Sequence, residues 1–81
     1  MIVRVKLFAA ARQRIDLDEI AVEVPEPATV AELRAAIWRQ FPQLVPIVRP
    51  ALFAINMEYG SETTIIPPNA EVACIPPVSG G

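Results

Sequence analysis

The carboxyl-terminal stretch Ala70-Glu71-Val72-Ala73-Cys74-Ile75-Pro76-Pro77-Val78-Ser79-Gly80-Gly81 organises the chain. Its apolar first half is typical of a β-strand, and the strand must finish before the prolines because proline has no N–H to give to a sheet ladder. Beyond it we expect a stiff, extended Pro76-Pro77 segment and then flexible glycines. The sequence therefore predicts a domain over residues 1–75 and a tail over residues 76–81.

The glycines at the end of the tail have two interpretations. Because glycine lacks a Cβ, Gly80 and Gly81 can thread a narrow channel and leave the carboxylate of Gly81 sterically open. That carboxylate is then the candidate reactive group. The alternative is a frayed terminus, which is the usual fate of small residues at a chain end. Taken alone, the residues favour the frayed terminus.

Composition excludes several classes of partner. The chain has 81 residues, a net charge of −2 and an apolar fraction of 53%, which is high for one small domain. Some apolar side chains must therefore lie outside, and a group of them would mark a partner surface. The basic residues are dispersed, which argues against nucleic acid. No signal peptide and no stretch with the length of a membrane span are visible, so no membrane association is expected.

Conventional catalysis by this chain alone is not expected. There is one cysteine, Cys74, and no histidine, so an internal disulfide is excluded and a thiolate or imidazole metal site is improbable. Cys74 falls in the apolar last strand, where a free cysteine behaves as a small hydrophobe. A free thiol also fits a reducing compartment, and we expect a cytoplasmic protein.

Alternating apolar residues predict a first strand at 2–8, with Val3, Val5 and Leu7 facing the core. That alternation leaves Phe8 on the outer face. Two interpretations of Phe8 stay open: a core position reached through a bend or bulge, or a contact for a partner. A short helical turn at 9–15 and a second strand at 20–24 complete an antiparallel hairpin.

The main helix has a clear start signal. Thr29 can cap the first free backbone donors while Glu32 reaches back to the cap, and Pro42 ends the helix. The remaining expectations, in chain order, are a loop at 43–50, a third strand at 51–56, a turn at 56–60 with a positive φ at Gly60, a short edge segment at 63–66, a turn at Pro68-Asn69 and the last strand at 70–75.

This order of elements predicts an α+β fold of the β-grasp type, a mixed sheet of four to five strands with one main helix on one face. We expect the last strand beside the first at the centre of the sheet. If Val72 and Cys74 face the helix, Ile75 joins Phe8 outside. A contiguous apolar patch would then surround the root of the tail, formed by Phe8, Ile75, Pro76, Pro77 and Val78.

The residues resemble a known family, the ubiquitin-like sulfur carriers to which the small subunit of molybdopterin synthase belongs. The matching segments are Val5-Lys6-Leu7-Phe8-Ala9 with Arg12, Thr29-Val30-Ala31-Glu32-Leu33-Arg34, Ala54-Ile55-Asn56 and, most specific, Glu71 to Gly81. The resemblance covers essentially the whole chain. The sequence departs from the family pattern in two loops. Pro68-Asn69-Ala70 stands where the family tends to have an Asp-Gly turn before the last strand, and residues 14–18 lack the glycine often found there in the family.

The resemblance implies a carrier mechanism. An adenylating partner of the ubiquitin-activating type uses ATP to convert the Gly81 carboxylate into an acyl-adenylate, and a sulfur donor then gives a thiocarboxylate. The tail, with Gly80, enters a pocket of the large synthase subunit and gives its sulfur to cyclic pyranopterin monophosphate, which builds the molybdopterin dithiolene. No cofactor or metal is held by the carrier itself. The partner contacts implied are Phe8, Arg12, Ile75, Pro76, Pro77, Val78 and Ser79, in a complex of two small and two large subunits.

Three other functions stay open. The same carrier chemistry could supply thiamin synthesis or tRNA thiolation, although a Pro-Pro-Val segment before the glycines counts against thiamin. A ubiquitin-like modifier would join the same carboxylate to lysines. A plain interaction module would have an inert tail.

Overall fold

The computed structural model describes residues 1–77, so Val78, Ser79, Gly80 and Gly81 lie outside the described residues. Within them one five-stranded sheet has the order β2-β1-β5-β3-β4. Its strands are β1 (Ile2–Leu7), β2 (Glu19–Glu23), β3 (Leu52–Ile55), β4 (Glu58–Tyr59) and β5 (Val72–Ile75). The helices are α1 (Ala9–Ile15), α2 (Val30–Gln40) and α3 (Val45–Val48), with a 3₁₀ turn at Pro42–Leu44. The predicted α+β, β-grasp fold is confirmed.

The last strand lies beside the first at the centre of the sheet, as predicted. β5 runs parallel to β1, with Leu7 opposite Cys74, and antiparallel to β3, with Leu52 opposite Ile75. β1 and β2 form the predicted antiparallel hairpin. Because β5 has a neighbour on each side, the point where the chain leaves the sheet is held by hydrogen-bonded strands on both flanks.

The core lies between the inner face of the sheet and α2. The predicted alternation is confirmed, because Val3, Val5 and Leu7 are buried and so are Val72 and Cys74. The buried positions facing them from β3 and α2 are Phe53, Val30, Leu33, Ala36 and Ile37. Side chains that point alternately to the two faces of each strand thus separate one apolar face from one accessible face.

The start of α2 is the predicted capping box. Thr29 Oγ1 accepts a hydrogen bond from the Glu32 N–H at 3.2 Å, and the Thr29 N–H donates to Glu32 Oε1 at 2.9 Å. Two free donors at the helix start are thereby satisfied, which typically contributes about 1 kcal/mol. The helix ends at Gln40, before the residue that precedes Pro42.

The prediction of a loop at residues 43–50 is wrong, because the chain continues there as the 3₁₀ turn and α3. Pro42 and Pro46 each occupy the first turn of one of these helices. The missing N–H of a proline costs nothing at that position, since the first N–H groups of a helix have no partner within it. Proline therefore starts short helices here, whereas the sequence interpretation took it only as a breaker.

The side chain of Arg34, on α2, holds the segment that connects α3 to β3. Its Nη1 donates to the carbonyl oxygens of Val48 at 2.7 Å, Arg49 at 3.1 Å and Ala51 at 2.7 Å. Its Nε donates to Glu62 Oε1 at 2.9 Å. One side chain thus satisfies carbonyls at the carboxyl end of α3 and immediately before β3, and it fixes where β3 begins.

Two further predictions about the later strands need correction. The segment at 63–66 forms only an isolated bridge, between Thr29 and Ile65, and the fourth strand is β4 instead. Positive φ angles occur at Asn56 (50°) and Met57 (70°), which is the pattern of a two-residue hairpin turn, and not at Gly60. Gly60 is needed for space, since a Cβ there would lie 3.3 Å from Thr64 Cβ.

Candidate functional site

The outer face of the sheet, opposite α2, carries a group of exposed apolar side chains. Leu52 is 54% exposed, Tyr59 is 68% exposed and Phe8 is 46% exposed. The strand register places Leu52 opposite Ile75 and Ala54 between Ala73 and Tyr59. We call the set Phe8, Leu52, Tyr59 and Ile75, with Ala54 and Ala73 between them, the outer apolar patch.

Phe8 belongs to this patch and not to the core. Its backbone is extended, with φ −128° and ψ 157°, so its side chain continues the outward alternation of β1. The chain turns only at the next residue, Ala9, where φ is 50°. The backbone at Phe8 therefore has no bend that would turn its side chain into the core. The aromatic ring stays at the end of the sheet from which β5 leads to the tail.

The residues where the tail begins agree only in part with the predicted exposed patch. Ile75 faces outward and is half-buried beside its partner Leu52, and Pro77 is exposed, but Pro76 is buried. Pro76 follows Val72 and Cys74 in the alternation of β5, which directs every second residue to the inner face. Its inclusion in an exposed patch was therefore wrong. Val78, Ser79, Gly80 and Gly81 were also expected at this site and lie outside the described residues.

Leu52 and Tyr59 were missed by the sequence interpretation. They lie on β3 and β4, more than forty residues along the chain from Phe8, and only the strand register brings them to the same face. The alternation around buried Phe53 was the available signal, since it places Leu52 outward. Nothing in the sequence indicated that β3 would neighbour β5 at this register.

Arg12 lies beside Phe8 at the rim of the patch. Its Nε is 2.8 Å from Asp18 Oδ1, and its side chain is 63% exposed. Together with Lys6, Leu7, Phe8, Asp18 and Glu19 it lines a shallow groove of about 450 Å³. An exposed ion pair of this kind contributes little stability, so its charges remain available to a partner.

The part of the outer face formed by β1 and β2 is charged. Arg4 Nη1 lies 3.6 Å from Glu19 Oε2, and Lys6 Nζ lies 3.6 Å from Glu71 Oε1. Both pairs are well exposed to solvent. The face as a whole is therefore apolar over β5, β3 and β4 and carries both signs of charge over β1 and β2.

Cys74 is placed where it cannot react. It is fully buried, and burial raises the pKa of its thiol to about 11, although the nearby charge of Arg34 opposes that shift. Since the thiolate is the nucleophilic form, the thiol is inert near neutral pH.

Among residues 1–77, no three His, Cys, Asp or Glu side chains are grouped to hold a metal ion. None of the helices in that part of the chain has the length and apolar character of a membrane span.

Comparison with known proteins agrees with this geometry. The model of the ThiS family matches residues 5–81. The chain belongs to the ThiS family. Among its relatives, the molybdopterin synthase sulfur carrier subunit of Dictyostelium discoideum is 35% identical over 81 residues, covering 96% of this chain and 94% of the relative. The subunit of the same name from Chlamydomonas reinhardtii is 32% identical and both chains are covered in full.

Solved structures resemble this ThiS-family chain over nearly its whole length. Small archaeal modifier protein 1 from Haloferax volcanii is 25% identical with a TM-score of 0.83, and both chains are covered in full. A Pyrococcus furiosus protein assigned as molybdopterin converting factor subunit 1 is 29% identical with a TM-score of 0.80, covering 95% and 98% of the two chains. A chain in the complex of subunits 1 and 2 of the Helicobacter pylori molybdopterin-converting factor is 23% identical with a TM-score of 0.68, and both chains are covered in full. At this identity the likeness shows the fold alone.

Proposed function

We propose that this chain is the sulfur carrier subunit of a molybdopterin synthase, with the carboxylate of Gly81 as the carrier group. The observation that carries the proposal is the full-length match to relatives named as such subunits, at 35% and 32% identity. The outer apolar patch beside the last strand adds a physical reason, since it offers a docking surface where the tail begins.

The chemistry of the carrier requires activation from outside the chain. An adenylating partner joins the Gly81 carboxylate to AMP from ATP and releases pyrophosphate. A sulfur donor then displaces AMP and leaves a thiocarboxylate at Gly81. The sulfur passes to cyclic pyranopterin monophosphate, and two such transfers build the molybdopterin dithiolene. The carrier supplies no general base and holds no cofactor in this scheme, because the reacting group is its own carboxyl carbon and the catalytic groups belong to its partners.

The large synthase subunit is the proposed partner at the outer apolar patch. Phe8, Leu52 and Ile75 are apolar anchors around the root of the tail, and the exposed charges of Arg12 and its neighbours form the rim. Burial of a few such side chains supplies most of the affinity of a typical interface. Pro77, Val78, Ser79 and Gly80 would follow the chain into the pocket of the large subunit, in an assembly of two small and two large subunits.

The pathway is tested by supplying the thiocarboxylate form of the chain with the large subunit and cyclic pyranopterin monophosphate. We expect molybdopterin to form, two carriers being consumed for each product. If the carrier forms its thiocarboxylate but no molybdopterin appears, the carrier serves another acceptor, such as a thiamin precursor or tRNA. We place the reaction in the cytoplasm, where a reducing environment preserves the sulfur of the thiocarboxylate.

A second candidate is conjugation to lysines, and one observation favours it. The structural relative from Haloferax volcanii with a TM-score of 0.83 is named as a modifier protein. The same acyl-adenylate could be attacked by an amine in place of sulfur. The two functions share their first step and diverge at the nucleophile, so the products formed with and without a sulfur donor distinguish them.

A further inference from the structure

Pro76 is the last described residue that faces the core. Its neighbour Ile75 is half-buried on the outer face and Pro77 is exposed, whereas Pro76 is buried. It continues the inner-face alternation of Val72 and Cys74, both of which are fully buried. The chain therefore does not leave the fold where β5 ends but one residue later.

Helix α1 covers this end of β5 from the inner side. It packs against β5, against the 3₁₀ turn and against α3. Its residue Ala11 is fully buried. The end of β5 thus lies between a packed helix on its inner face and the outer apolar patch on its outer face.

The backbone pairing at this point suits a proline. The Leu7 N–H donates to the Asp18 carbonyl oxygen at 2.8 Å, so the odd-numbered residues of β1 pair with β2 and the backbone of Phe8 is turned toward β5. In the parallel register of β1 with β5, an N–H at residue 76 would point at the Phe8 carbonyl oxygen. That oxygen accepts the Ala11 N–H at 3.2 Å instead. Because proline has no N–H, the strand ends at this buried point without an unpaired donor.

We propose that Pro76 is the positioning residue of the tail, an inference that rests on Gly81 being the carrier group of the proposed function. The buried ring of Pro76 holds the chain against the fold and fixes its φ at about −65°. Because Pro77 follows, the backbone of Pro76 is also confined to extended conformations. The direction in which the tail starts is therefore set by the fold and not by the partner.

A fixed starting point limits where the carboxyl group can react. Gly81 is five residues beyond Pro76. An extended chain spans at most about 3.5 Å per residue, so Gly81 reaches no farther than about 17 Å from Pro76. The large subunit must hold its reacting group within that distance when it docks on the outer apolar patch. A tail that came loose at Pro76 would need one more residue to be ordered in every transfer, which costs conformational entropy.

The kinetic test compares Pro76→Gly with Pro77→Gly, which free the backbone in the same way at a buried and at an exposed position. The thiocarboxylate form of each variant is supplied at increasing concentration with the large subunit and cyclic pyranopterin monophosphate, and molybdopterin formation is followed. We expect kcat to fall roughly tenfold for Pro76→Gly and less than roughly threefold for Pro77→Gly, with KM unchanged because the docking surface is intact. Pro76→Val keeps an apolar side chain on the inner face and should retain kcat within roughly twofold.

A second measurement tests the anchored position without any partner. Each substitution creates a backbone N–H whose NMR order parameter is about 0.85 when the backbone is rigid and below about 0.6 when it is flexible. We expect about 0.85 at position 76 in Pro76→Val and a clearly lower value at position 77 in Pro77→Val. Urea unfolding of the same variants establishes that each is folded under the assay conditions. If Pro76→Gly does not fold, the two valine variants decide by both measurements.

The possible failures can be told apart. Equal losses of kcat at positions 76 and 77 would overturn the proposal, because the stiffness of the prolines and not the buried ring would then matter. A loss confined to KM would make Pro76 a partner contact and would contradict it as well. Equal order parameters at the two positions would also sink it. If the parent chain forms no molybdopterin, the proposed pathway fails, and the order parameters still decide whether Pro76 is anchored.

Discussion

Asn56 and Glu71 hold each other through two hydrogen bonds. The Glu71 N–H donates to Asn56 Oδ1 at 2.9 Å, and the Asn56 N–H donates to the Glu71 carbonyl oxygen at 2.8 Å. Asn56 also has a positive φ of 50° in the turn between β3 and β4. This one residue therefore shapes that turn and fixes the residue immediately before β5, the strand that leads to the tail.

The two contributions of Asn56 can be separated by substitution. Asn56→Ala should lower the free energy of unfolding by about 2 kcal/mol, because alanine is strained at positive φ and offers no acceptor to Glu71. Asn56→Gly relieves the strain and should cost about 1 kcal/mol. Asn56→Asp keeps both properties and serves as the control. Urea unfolding measures all three, and equal losses for Ala and Gly would show that the positive φ contributes nothing.

Arg34 should be the most sensitive polar residue of the fold. Its side chain is only 12% exposed, and Arg34→Ala would remove the guanidinium donor from the carbonyls of Val48 and Ala51, although the Ala51 N–H still donates to the Val48 carbonyl at 3.1 Å. We expect a loss of about 3 kcal/mol in the free energy of unfolding. Arg34→Lys should be intermediate, since an ammonium group cannot reproduce the guanidinium fork.

The matched control for Arg34 is Glu62→Gln, which removes one charge of the Arg34 ion pair on its half-exposed side. That change should cost less than about 1 kcal/mol. A loss at Glu62 as large as that at Arg34 would mean that the ion pair, and not the carbonyl contacts, holds the connection before β3.

Cys74 gives a signature in the dependence of stability on pH. Burial raises the pKa of its thiol from 9.0 to about 11 in the folded protein, so between these pH values the unfolded chain loses the proton while the folded chain keeps it. Stability should therefore fall as pH rises above 9, because the folded state binds more protons. The stability of the Cys74→Val variant should fall less steeply over the same pH range. Thermal unfolding at pH 8 and pH 10 measures the difference, and identical slopes would contradict a raised pKa.

Docking of the large subunit should depend on the outer apolar patch. Leu52→Glu and Phe8→Glu each place a charge where an apolar contact is proposed, and each should weaken binding at least tenfold, roughly 1.4 kcal/mol or more. Both side chains are about half exposed, so folding should be preserved. Met57→Glu is the control, since Met57 is 89% exposed in the turn outside the patch. Calorimetric titration with the large subunit measures the affinity of each variant. Equal affinities for all three variants would show that the outer apolar patch is not part of the interface.

Local patterns predicted the parts of this structure that depend on neighbouring residues. The alternation of Val3, Val5 and Leu7 gave the inner face of β1, and the spacing of Thr29 and Glu32 gave the start of α2. Both signals work because a strand repeats every two residues and a helix start exposes a fixed set of donors. The order of the elements predicted the β-grasp arrangement and, with it, the place of the last strand beside the first.

Two features that depend on contacts between distant residues were not predicted. Leu52 reaches the patch only through its register with Ile75, and the short helices after Pro42 are held by Arg34 from a different element. Proline allows both a break and a helix start, and only the tertiary contact selects between them. The buried position of Pro76 was missed for a simpler reason, because the alternation of β5 was not continued past Ile75.

The central claim is that the carboxyl group of Gly81 carries sulfur. The most direct measurement is the intact mass of the chain after incubation with its adenylating partner, ATP and a sulfur donor, with a variant lacking Gly81 as the control. The account predicts a mass change equal to one oxygen replaced by sulfur, located at Gly81 and missing from the control. An unchanged mass in the presence of pyrophosphate release, or the same change in the control, would contradict it.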